Sequence, residues 1–266
     1  MKKDQGRSAP LVTVYLVNHN YGRFLEQAVE SVVKQTLQDF ELIIIDDGST
    51  DDSKDIISRF ENQFDNIIAI FQHNQGLNVT NNIALRKARG RYIVRLDADD
   101  WLDERALQIL SAELDRHPDV GLVFPDYFLV DFEGNLLESV RRHNFDDVTL
   151  MDQPAHGACT MIRTKCLREI GGYDEEFRRQ DGYELWIRFI QHFGVKNVNL
   201  PLFYYRQHSE SLTRNEAQIL STRANILAKQ ASKTVNEDEK VLAMIPVRGN
   251  VAEPSSQALR NLGDKP

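Results

Sequence analysis

The first hundred residues of the chain contain four short runs of apolar, β-prone residues, separated by longer amphipathic stretches. The runs lie at residues 11–18, 42–45, 66–71 and 92–96. Continuous apolar runs of this length are typical of strands that are buried on both faces, as in a parallel sheet. The pattern therefore predicts four buried strands in this half of the chain.

The stretches between these runs have the spacing of helices. Apolar residues recur within residues 24–33 and 78–88 so that they line one face of a helix. Another helix is expected to begin near Ser49 or Thr50, either of which could cap it, with Asp51 near the positive end of its dipole. This alternation predicts a Rossmann-like α/β fold, a mostly parallel sheet flanked by helices, which binds ligands beyond the carboxyl ends of its strands.

The second half of the chain has a mixed pattern. Residues 102–117 have the spacing of a helix that Pro118 stops, and residues 120–130 are extended up to a turn at residues 131–135, which indicates a β-hairpin. We therefore expect a smaller α+β region here. Its other predicted elements are a helix at residues 182–192 and short strands at residues 158–162, 195–198 and 202–205.

The predicted elements divide the chain into parts. Residues 1–10 are expected to form a flexible N-terminus. The main domain is expected to span residues 11–213, with one half at residues 11–100 and the other at residues 101–213. The remaining residues, 214–266, are expected to form a helical or loosely ordered extension, because the apolar pattern weakens there and the last stretch is rich in Ser, Pro, Asn and Gly.

The composition excludes several classes of protein. A formal net charge of −8 and a sequence pI near 5.4 argue against broad binding to nucleic acid, which requires a basic face. Two cysteines exclude a disulfide framework and favour a reducing compartment. The N-terminus lacks the apolar stretch of a signal peptide, and no apolar run is long enough to cross a membrane. We expect a cytoplasmic protein without a transmembrane segment, and contact with a membrane surface stays open.

Polar clusters follow three of the predicted strands. They lie at residues 18–20, at residues 46–47 and at residues 97–100. Because the carboxyl ends of parallel strands meet at one edge of a sheet, these clusters are expected to converge on one site. Arg95, a charge within the fourth apolar run, has no explanation in the sequence.

The last of these clusters is the most acidic. Asp97 and Asp99 bring two carboxylates to the edge of the sheet, and Asp100 adds a third. Carboxylate oxygens can hold Mg²⁺ or Mn²⁺ together with the phosphates of a ligand. The alternative is an acidic loop that caps the following helix, and the neighbouring polar clusters favour the metal site over it.

Asp46 and Asp47 could accept hydrogen bonds from a nucleotide, with Gly48 allowing the backbone to pass close to the ligand. A turn that is rich in Asp because it opens a helix explains this segment equally well.

Two further candidates lie in the second half of the chain. Asp181 stands at the front of an amphipathic helix and could act as a general base, with Glu184 one turn later. An Asp that caps the helix is as common at such a position. His208 could bind the cation or a phosphate, but a single histidine is more often a packing or surface residue.

Taken in order, these motifs resemble those of the family 2 glycosyltransferases of the GT-A fold. The resemblance covers roughly residues 11–213, and the ordered set is far more specific than any one motif. It is carried by residues 12–14, 21, 35–36, 41–51, 74–76, 88–90, 96–100, 171–175, 181–186, 205–208 and 211.

The resemblance implies an inverting glycosyltransferase that uses a nucleoside-diphosphate sugar as its donor. Residues 11–100 would then be the nucleotide-binding half and residues 101–213 the acceptor-side half. The donor would be UDP-, dTDP- or GDP-linked, and the acceptor would be a hydroxyl group, on a glycan or a lipid-linked sugar, in polysaccharide biosynthesis. The implied cofactor is Mn²⁺ or Mg²⁺, bridging the diphosphate.

The resemblance also implies roles for individual residues. Asp99 would hold the cation, and His208 matches a position near the diphosphate. Asp181 would deprotonate the acceptor hydroxyl, with Glu184 as the second choice. Around the nucleotide, the implied contacts are Val17, Asn18, His19, Asp46, Asp47 at the base, Asp97 at the ribose, and Ala98.

The chain departs from the family pattern at two places. His19 stands where the family often has Tyr, so the identity of the nucleobase stays open. Residues 180–184 read Gln-Asp-Gly-Tyr-Glu where Glu-Asp-Tyr followed by an acid is commoner, so the choice between Asp181 and Glu184 also stays open.

Other functions fit the sequence less well. A haloacid-dehalogenase-type phosphatase expects Thr or Val where this chain has Trp101, and a Rossmann oxidoreductase needs a G-x-G-x-x-G turn after the first strand. A retaining GT-A transferase or a sugar-nucleotide pyrophosphorylase would share the nucleotide-binding half, and the retaining enzyme would not need Asp181. A non-catalytic nucleotide-sugar-binding protein would be expected to lack Asp99 or Asp181, and both are present.

Overall fold

The computed structural model describes residues 8–141, 157–177, 181–208 and 221–229. The chain divides into two compact units, Met1–Ala228 and Lys229–Pro266, and the elements named below lie in the first. Of the predicted extension beyond residue 213, residues 221–229 are described and helical. The expected flexible terminus lies outside the described residues up to residue 7.

The predicted order of strands and helices in the first half is confirmed. The polypeptide runs through β1 (Val12–Asn18), α1 (Gly22–Val33), β2 (Phe40–Asp47), α2 (Ser53–Gln63), β3 (Ile67–Gln72), α3 (Leu77–Lys87), β4 (Tyr92–Asp97), β5 (Trp101–Leu102), α4 (Ala106–Arg116), β6 (Val120–Val130), β7 (Leu136–Val140), β8 (Met161–Arg163), α5 (Thr164–Glu169), α6 (Asp181–Ile190) and β9 (Gly194–Arg206).

The strands form one sheet in the order β3-β2-β1-β4-β8-β6-β9-β5, with β7 paired to β6. The first four strands in the chain are parallel to one another, as the sequence predicts. Beyond β4 the sheet is mixed, because β8 runs antiparallel to both β4 and β6 while β9 runs parallel to β6. The predicted hairpin is formed by β6 and β7.

Helices cover both faces of the sheet, because side chains alternate between the faces along each buried strand. Val14 and Leu16 belong to the hydrophobic cluster that includes residues of α1, α2 and α4. Tyr15, between them in the sequence, belongs to the second cluster, which includes residues of α3, α5 and α6. The carboxyl ends of β1, β2 and β4 therefore open at an edge between two packed layers.

The expected helix cap at Ser49 or Thr50 is wrong. Helix α2 begins at Ser53, and the residue before it, Asp52, makes no side-chain capping bond. The Ser49 hydroxyl is instead engaged by the first strand's loop, where it accepts a hydrogen bond from the Asn20 N–H at 2.8 Å. The Asp51 carboxylate accepts the Ser53 N–H at 3.1 Å, so it satisfies a free donor at the start of α2.

Three predicted boundaries differ from the structure in the second half. Helix α4 begins at Ala106, not at residue 102, because Trp101 and Leu102 pair with β9 as strand β5. The strands predicted at residues 195–198 and 202–205 are one continuous strand, β9, with a shift of register between them. Strand β8 begins later than predicted because Cys159 has a φ of 55°, outside the extended region.

Among the described residues, no helix combines the length and the apolar composition that crossing a membrane requires.

Candidate active site

The polar residues that follow β1, β2 and β4 lie side by side, as predicted. Asn18 is the register partner of Asp46 across β1 and β2, and Val17 is the partner of Asp97 across β1 and β4. The three clusters therefore meet at one edge of the sheet. Val17 is half-buried and Ala98 is buried, and both side chains are apolar. The hydrogen-bonding groups at this edge therefore come from its polar residues.

Asn18 and Asp46 form the floor of this edge, and both are fully buried. The Asn18 amide donates to Asp46 Oδ1 at 2.9 Å and to the Ser49 hydroxyl at 3.0 Å. Asp46 Oδ2 accepts the Ser49 backbone N–H at 3.1 Å. The bonds fix the turn after β2, while the Asn18 side-chain oxygen is buried without a partner among the described residues.

Asp47 holds the turn that opens helix α3. Its Oδ1 accepts hydrogen bonds from the Gln72 amide at 2.7 Å and the Gln75 N–H at 2.8 Å, and its Oδ2 accepts the Gly76 N–H at 2.9 Å. The exposed His19 ring lies on this turn, with Nδ1 2.9 Å from the Asp47 carbonyl oxygen. Asp47 is therefore a preorganised carboxylate, and His19 lies at the rim.

Arg95, which the sequence could not explain, is paired with Asp97. The two residues are on the same face of β4, and Arg95 Nε lies 2.9 Å from Asp97 Oδ1. Gly157 makes room for the guanidinium, because a Cβ there would lie 2.5 Å from an Arg95 nitrogen. The ion pair orients Asp97, whose side chain keeps 27% of its surface exposed at the mouth of the site.

Asp99 and His208 are brought together from distant parts of the chain. The Nε2 atom of His208 lies 2.8 Å from Asp99 Oδ2, with the imidazole almost fully buried. The ring of Tyr21 meets the imidazole edge to face, with 5.4 Å between the ring centroids. Packing therefore holds a nitrogen and a carboxylate oxygen side by side at the end of β4.

Asp100 does not join the open acids at the mouth. It is 1% exposed, and its Oδ1 accepts the Arg206 backbone N–H at 2.9 Å. Burial raises the pKa of Asp100 well above its usual value, and the negative charges of Asp99 and Asp97 raise it further. The expectation that Asp100 adds a third carboxylate at this edge is therefore corrected, because its side chain is turned inward.

Arg206 ties the acidic turn to two other elements, α1 and β5. Its Nε donates to the Asp99 carbonyl at 3.0 Å, and another nitrogen donates to the Gln27 side chain on α1 at 2.7 Å. The guanidinium lies between the rings of Phe24 and Trp101, at 4.5 and 4.8 Å from their centroids. Sequence analysis gave Arg206 no role, although an arginine two residues before the candidate metal-binding histidine was a usable signal.

The two candidate bases lie on α6. Asp181 is the first residue of that helix, and its side chain lies outside the described residues. Glu184 is 1% exposed, and its two oxygens each lie 2.6 Å from a nitrogen of Arg188. Arg188 also donates to the carbonyls of Ile170 and Gly172, at 2.8 and 2.7 Å. The Glu184–Arg188 pair therefore holds α6 to the backbone that follows α5.

Sequence comparisons place the chain in a family. Residues 13–171, more than half of the chain, match the sequence model of the family described as glycosyl transferase family 2. Over 246 residues the chain is 32% identical to glycosyltransferase GlyG of Streptococcus pneumoniae serotype 4, covering 85% of this chain and 81% of GlyG. It is 26% identical over 226 residues to the chondroitin synthase of Escherichia coli, covering 82% of this chain. The match spans 33% of that longer relative.

Solved structures resemble the chain over most of its length. The structure of S. aureus TarS residues 1–349 with UDP-GlcNAc matches with a TM-score of 0.68 at 17% identity, over 86% of this chain and 68% of that one. The mannosyltransferase PcManGT from Pyrobaculum calidifontis, with GDP-Man and Mn²⁺, matches with a TM-score of 0.64 at 19% identity, over 88% and 66%. The chain therefore has the GT-A fold that its motifs implied, and it belongs to glycosyl transferase family 2.

Proposed function

We propose that this protein transfers a sugar, with inversion and with the help of a divalent cation, from a nucleoside-diphosphate sugar to an acceptor hydroxyl. The observation that carries the proposal is the Asp99–His208 pair, 2.8 Å apart, beside the edge where Asn18, Asp47 and Asp97 converge. A carboxylate and an imidazole at the mouth of a parallel sheet can serve a cation and a diphosphate together.

The donor would lie across the carboxyl ends of β1, β2 and β4. Asp47, already oriented by three hydrogen bonds, would accept from the nucleobase, and the partly exposed Asp97 would accept from the ribose hydroxyls. His19 at the rim would pack on the base. The donor class is supported by TarS with UDP-GlcNAc and by PcManGT with GDP-Man, so both uridine and guanosine donors are candidates.

The residues fit a divalent cation of the Mn²⁺ type. Asp99 offers a hard carboxylate oxygen, and His208 offers an imidazole nitrogen next to it. Carboxylates and waters suit both Mg²⁺ and Mn²⁺, whereas an imidazole nitrogen favours a transition metal, so the pair favours Mn²⁺. No group of three metal-binding side chains exists among the described residues, which suits a cation that takes its remaining ligands from phosphate and water. When bound, the cation would offset the negative charge of the leaving diphosphate.

The general base is assigned to Asp181. Glu184, the alternative, is 1% exposed and paired with Arg188 through both oxygens, which keeps its carboxylate charged and away from an acceptor in solvent. Asp181 is the first residue of α6, within the implied acceptor-side half. Its carboxylate would take the proton of the acceptor hydroxyl while that oxygen attacks the anomeric carbon and the bond to the diphosphate breaks. One displacement of this kind inverts the anomeric configuration.

We further propose a role in polysaccharide biosynthesis. Relatives include the chondroitin synthases of Escherichia coli and Pasteurella multocida, and a hyaluronan synthase of the latter. These matches cover 33% or less of each relative. The proposal is therefore limited to the transfer step and to a hydroxyl of a glycan as the acceptor.

The stereochemical outcome tests the mechanism. Donors linked to UDP, GDP and dTDP would be screened with Mn²⁺ and small sugar acceptors, and the product linkage would be read by ¹H NMR. An α-linked donor should give a β-linked product, and a retained α configuration would overturn the inverting mechanism. Failure of every nucleoside diphosphate to raise the melting temperature would overturn donor binding itself, because a ligand that binds the native state must stabilise it.

A further inference from the structure

Helix α3 begins on the donor side of the site. The N–H groups of Gln75 and Gly76, which open it, donate to the Asp47 carboxylate at 2.8 and 2.9 Å. The Gly76 carbonyl in turn accepts the Thr80 hydroxyl at 2.9 Å, which ties this turn to the body of the helix. The start of α3 is thus fixed to the proposed nucleobase contact.

The same helix binds the backbone that leads to α6. The Asn78 amide, in the first turn of α3, donates to the carbonyls of Asp174 and Phe177 at 2.7 and 2.6 Å. One turn later, the Asn82 side chain donates to the Tyr173 carbonyl at 2.8 Å and accepts the Tyr173 N–H at 2.9 Å. Residues 173–177 are therefore held to α3 at both ends.

These asparagines are explained by their contacts and not by the helix. Asn is a poor helix former, because its side chain competes for backbone hydrogen bonds. Both side chains are nonetheless buried, with 3% of Asn78 and 8% of Asn82 exposed. Gly172 has a φ of 74°, and a Cβ there would lie 2.6 Å from Asn82 Oδ1, so glycine at this position permits the close approach.

We propose that Asn78 is a positioning residue for the transfer step. By fixing the carbonyls of Asp174 and Phe177, it fixes residues 173–177, which directly follow the Gly172 carbonyl that Arg188 of α6 binds at 2.7 Å. Asn78 would in this way set the position of α6, and of Asp181 at its start, relative to the donor. The inference rests on the proposed function, with Asp181 as the base. A base must stand within hydrogen-bond reach of its proton, and a displacement of about 1 Å can cost about 100-fold in rate.

The test uses Asn78→Asp, which keeps the shape of the side chain but replaces the donating nitrogen with an oxygen. Both bonds to the carbonyls are lost without leaving a cavity, and the oxygen that replaces the nitrogen repels the two carbonyl oxygens. We expect kcat to fall by about 10- to 100-fold, with the Kd for the nucleoside diphosphate within about twofold of wild type. Glu175→Gln is the matched control, since it lies on the same segment and retains the oxygen that accepts from Asn82. Its kcat should remain at the wild-type value.

A double-variant cycle separates positioning from a general effect on the fold. If Asn78 acts through Asp181, Asn78→Asp should change the residual rate of an Asp181→Asn enzyme by less than about twofold. A tenfold fall in both backgrounds, or no fall in either, would overturn the inference while the proposed function stands. Asn78→Ala repeats the cycle should the Asp variant lose nucleotide binding. If Asp181→Asn alone transfers at the wild-type rate, the base assignment fails and the inference fails with it.

Discussion

In the half of the domain formed by β1 to β4, the polar residues of the site follow directly from the ends of parallel strands, whereas in the later half they arrive through long excursions of the chain. Asn18 and Asp46 are neighbours because they are register partners in the sheet. His208 reaches Asp99 across 109 positions of sequence, at the end of a strand that pairs with β5 and β6. Strand register thus builds the donor side, and tertiary packing builds the rest.

The two halves are expected to affect different steps of the reaction. Substitutions at the strand ends of the first half should alter donor affinity, because those residues are proposed to contact only the nucleotide. Substitution of Asp181 at the start of α6 should alter the rate of transfer, because that residue is proposed to act only on the acceptor hydroxyl. His208 belongs to the later half but lies on Asp99, so it should affect both properties.

The largest expected effect belongs to the acceptor-side half. Asp181→Asn should lower kcat by about 10²- to 10⁴-fold, the usual effect of removing a general base, while calorimetric titration gives an unchanged Kd for the nucleoside diphosphate. The rate is measured by release of the nucleoside diphosphate with saturating donor and acceptor. A loss of donor affinity together with the rate would break the proposed division between the halves.

Glu184→Gln is expected to act on stability and not on chemistry. The change removes the charge that pairs with the largely buried Arg188, and it should destabilise the fold by about 1–3 kcal/mol while kcat stays within about threefold of wild type. Thermal unfolding followed by circular dichroism measures the first quantity, and the transfer assay measures the second. A stable variant with a kcat lowered at least 100-fold would move the base to Glu184.

In the nucleotide-binding half, Asp47→Ala should weaken the nucleoside diphosphate by about tenfold, or about 1.4 kcal/mol, whichever sugar it carries. Its kcat at saturating donor should stay near that of wild type. Asp55→Ala on the first turn of α2 is the control, because that acid is exposed and has no proposed contact with the nucleotide. Unchanged affinity for the free nucleotide would show that Asp47 only stabilises the turn at Gln75 and Gly76 and does not contact the base.

The smallest expected effect is that of His208→Ala, which joins the two halves. Donor affinity should fall by about threefold in Mn²⁺, because one of two proposed protein ligands is lost, and should not change in EDTA. His192→Ala, at an exposed position after α6, is the control. Equal affinities for the variant and wild type in Mn²⁺ would return His208 to a packing role.

The sequence predicted the elements of residues 11–100 well because those elements depend on local patterns. Four apolar runs and the polar residues that end them were enough to place residues 18–20, 46–47 and 97–100 at one edge. The helix cap at Ser49 failed because its hydroxyl accepts from Asn18 and Asn20, residues about thirty positions earlier. A capping rule that considers only neighbours in sequence cannot predict hydrogen bonds from such distant residues.

The acceptor-side half was predicted less completely because its side chains have distant partners. Arg206 has an apolar strand before it, and nothing nearby in the sequence shows that it lies between Phe24 and Trp101. Asp100 looks like its acidic neighbours in sequence but faces the interior, where the Arg206 backbone binds it. The pairing of Arg95 with Asp97, in the earlier half, was missed although it is local, since residues two apart in a strand share a face.

The most direct test of the account is a calorimetric titration of UDP and GDP into the wild-type protein and Asp99→Asn, each in Mn²⁺ and in EDTA. Asn keeps the size of the Asp99 side chain and an oxygen that can face His208, so the variant should unfold at a temperature close to that of wild type. The account predicts that Mn²⁺ strengthens binding of one nucleotide by at least about tenfold in wild type and by less than about twofold in the variant. Equal affinities of the wild-type protein in Mn²⁺ and in EDTA would contradict it.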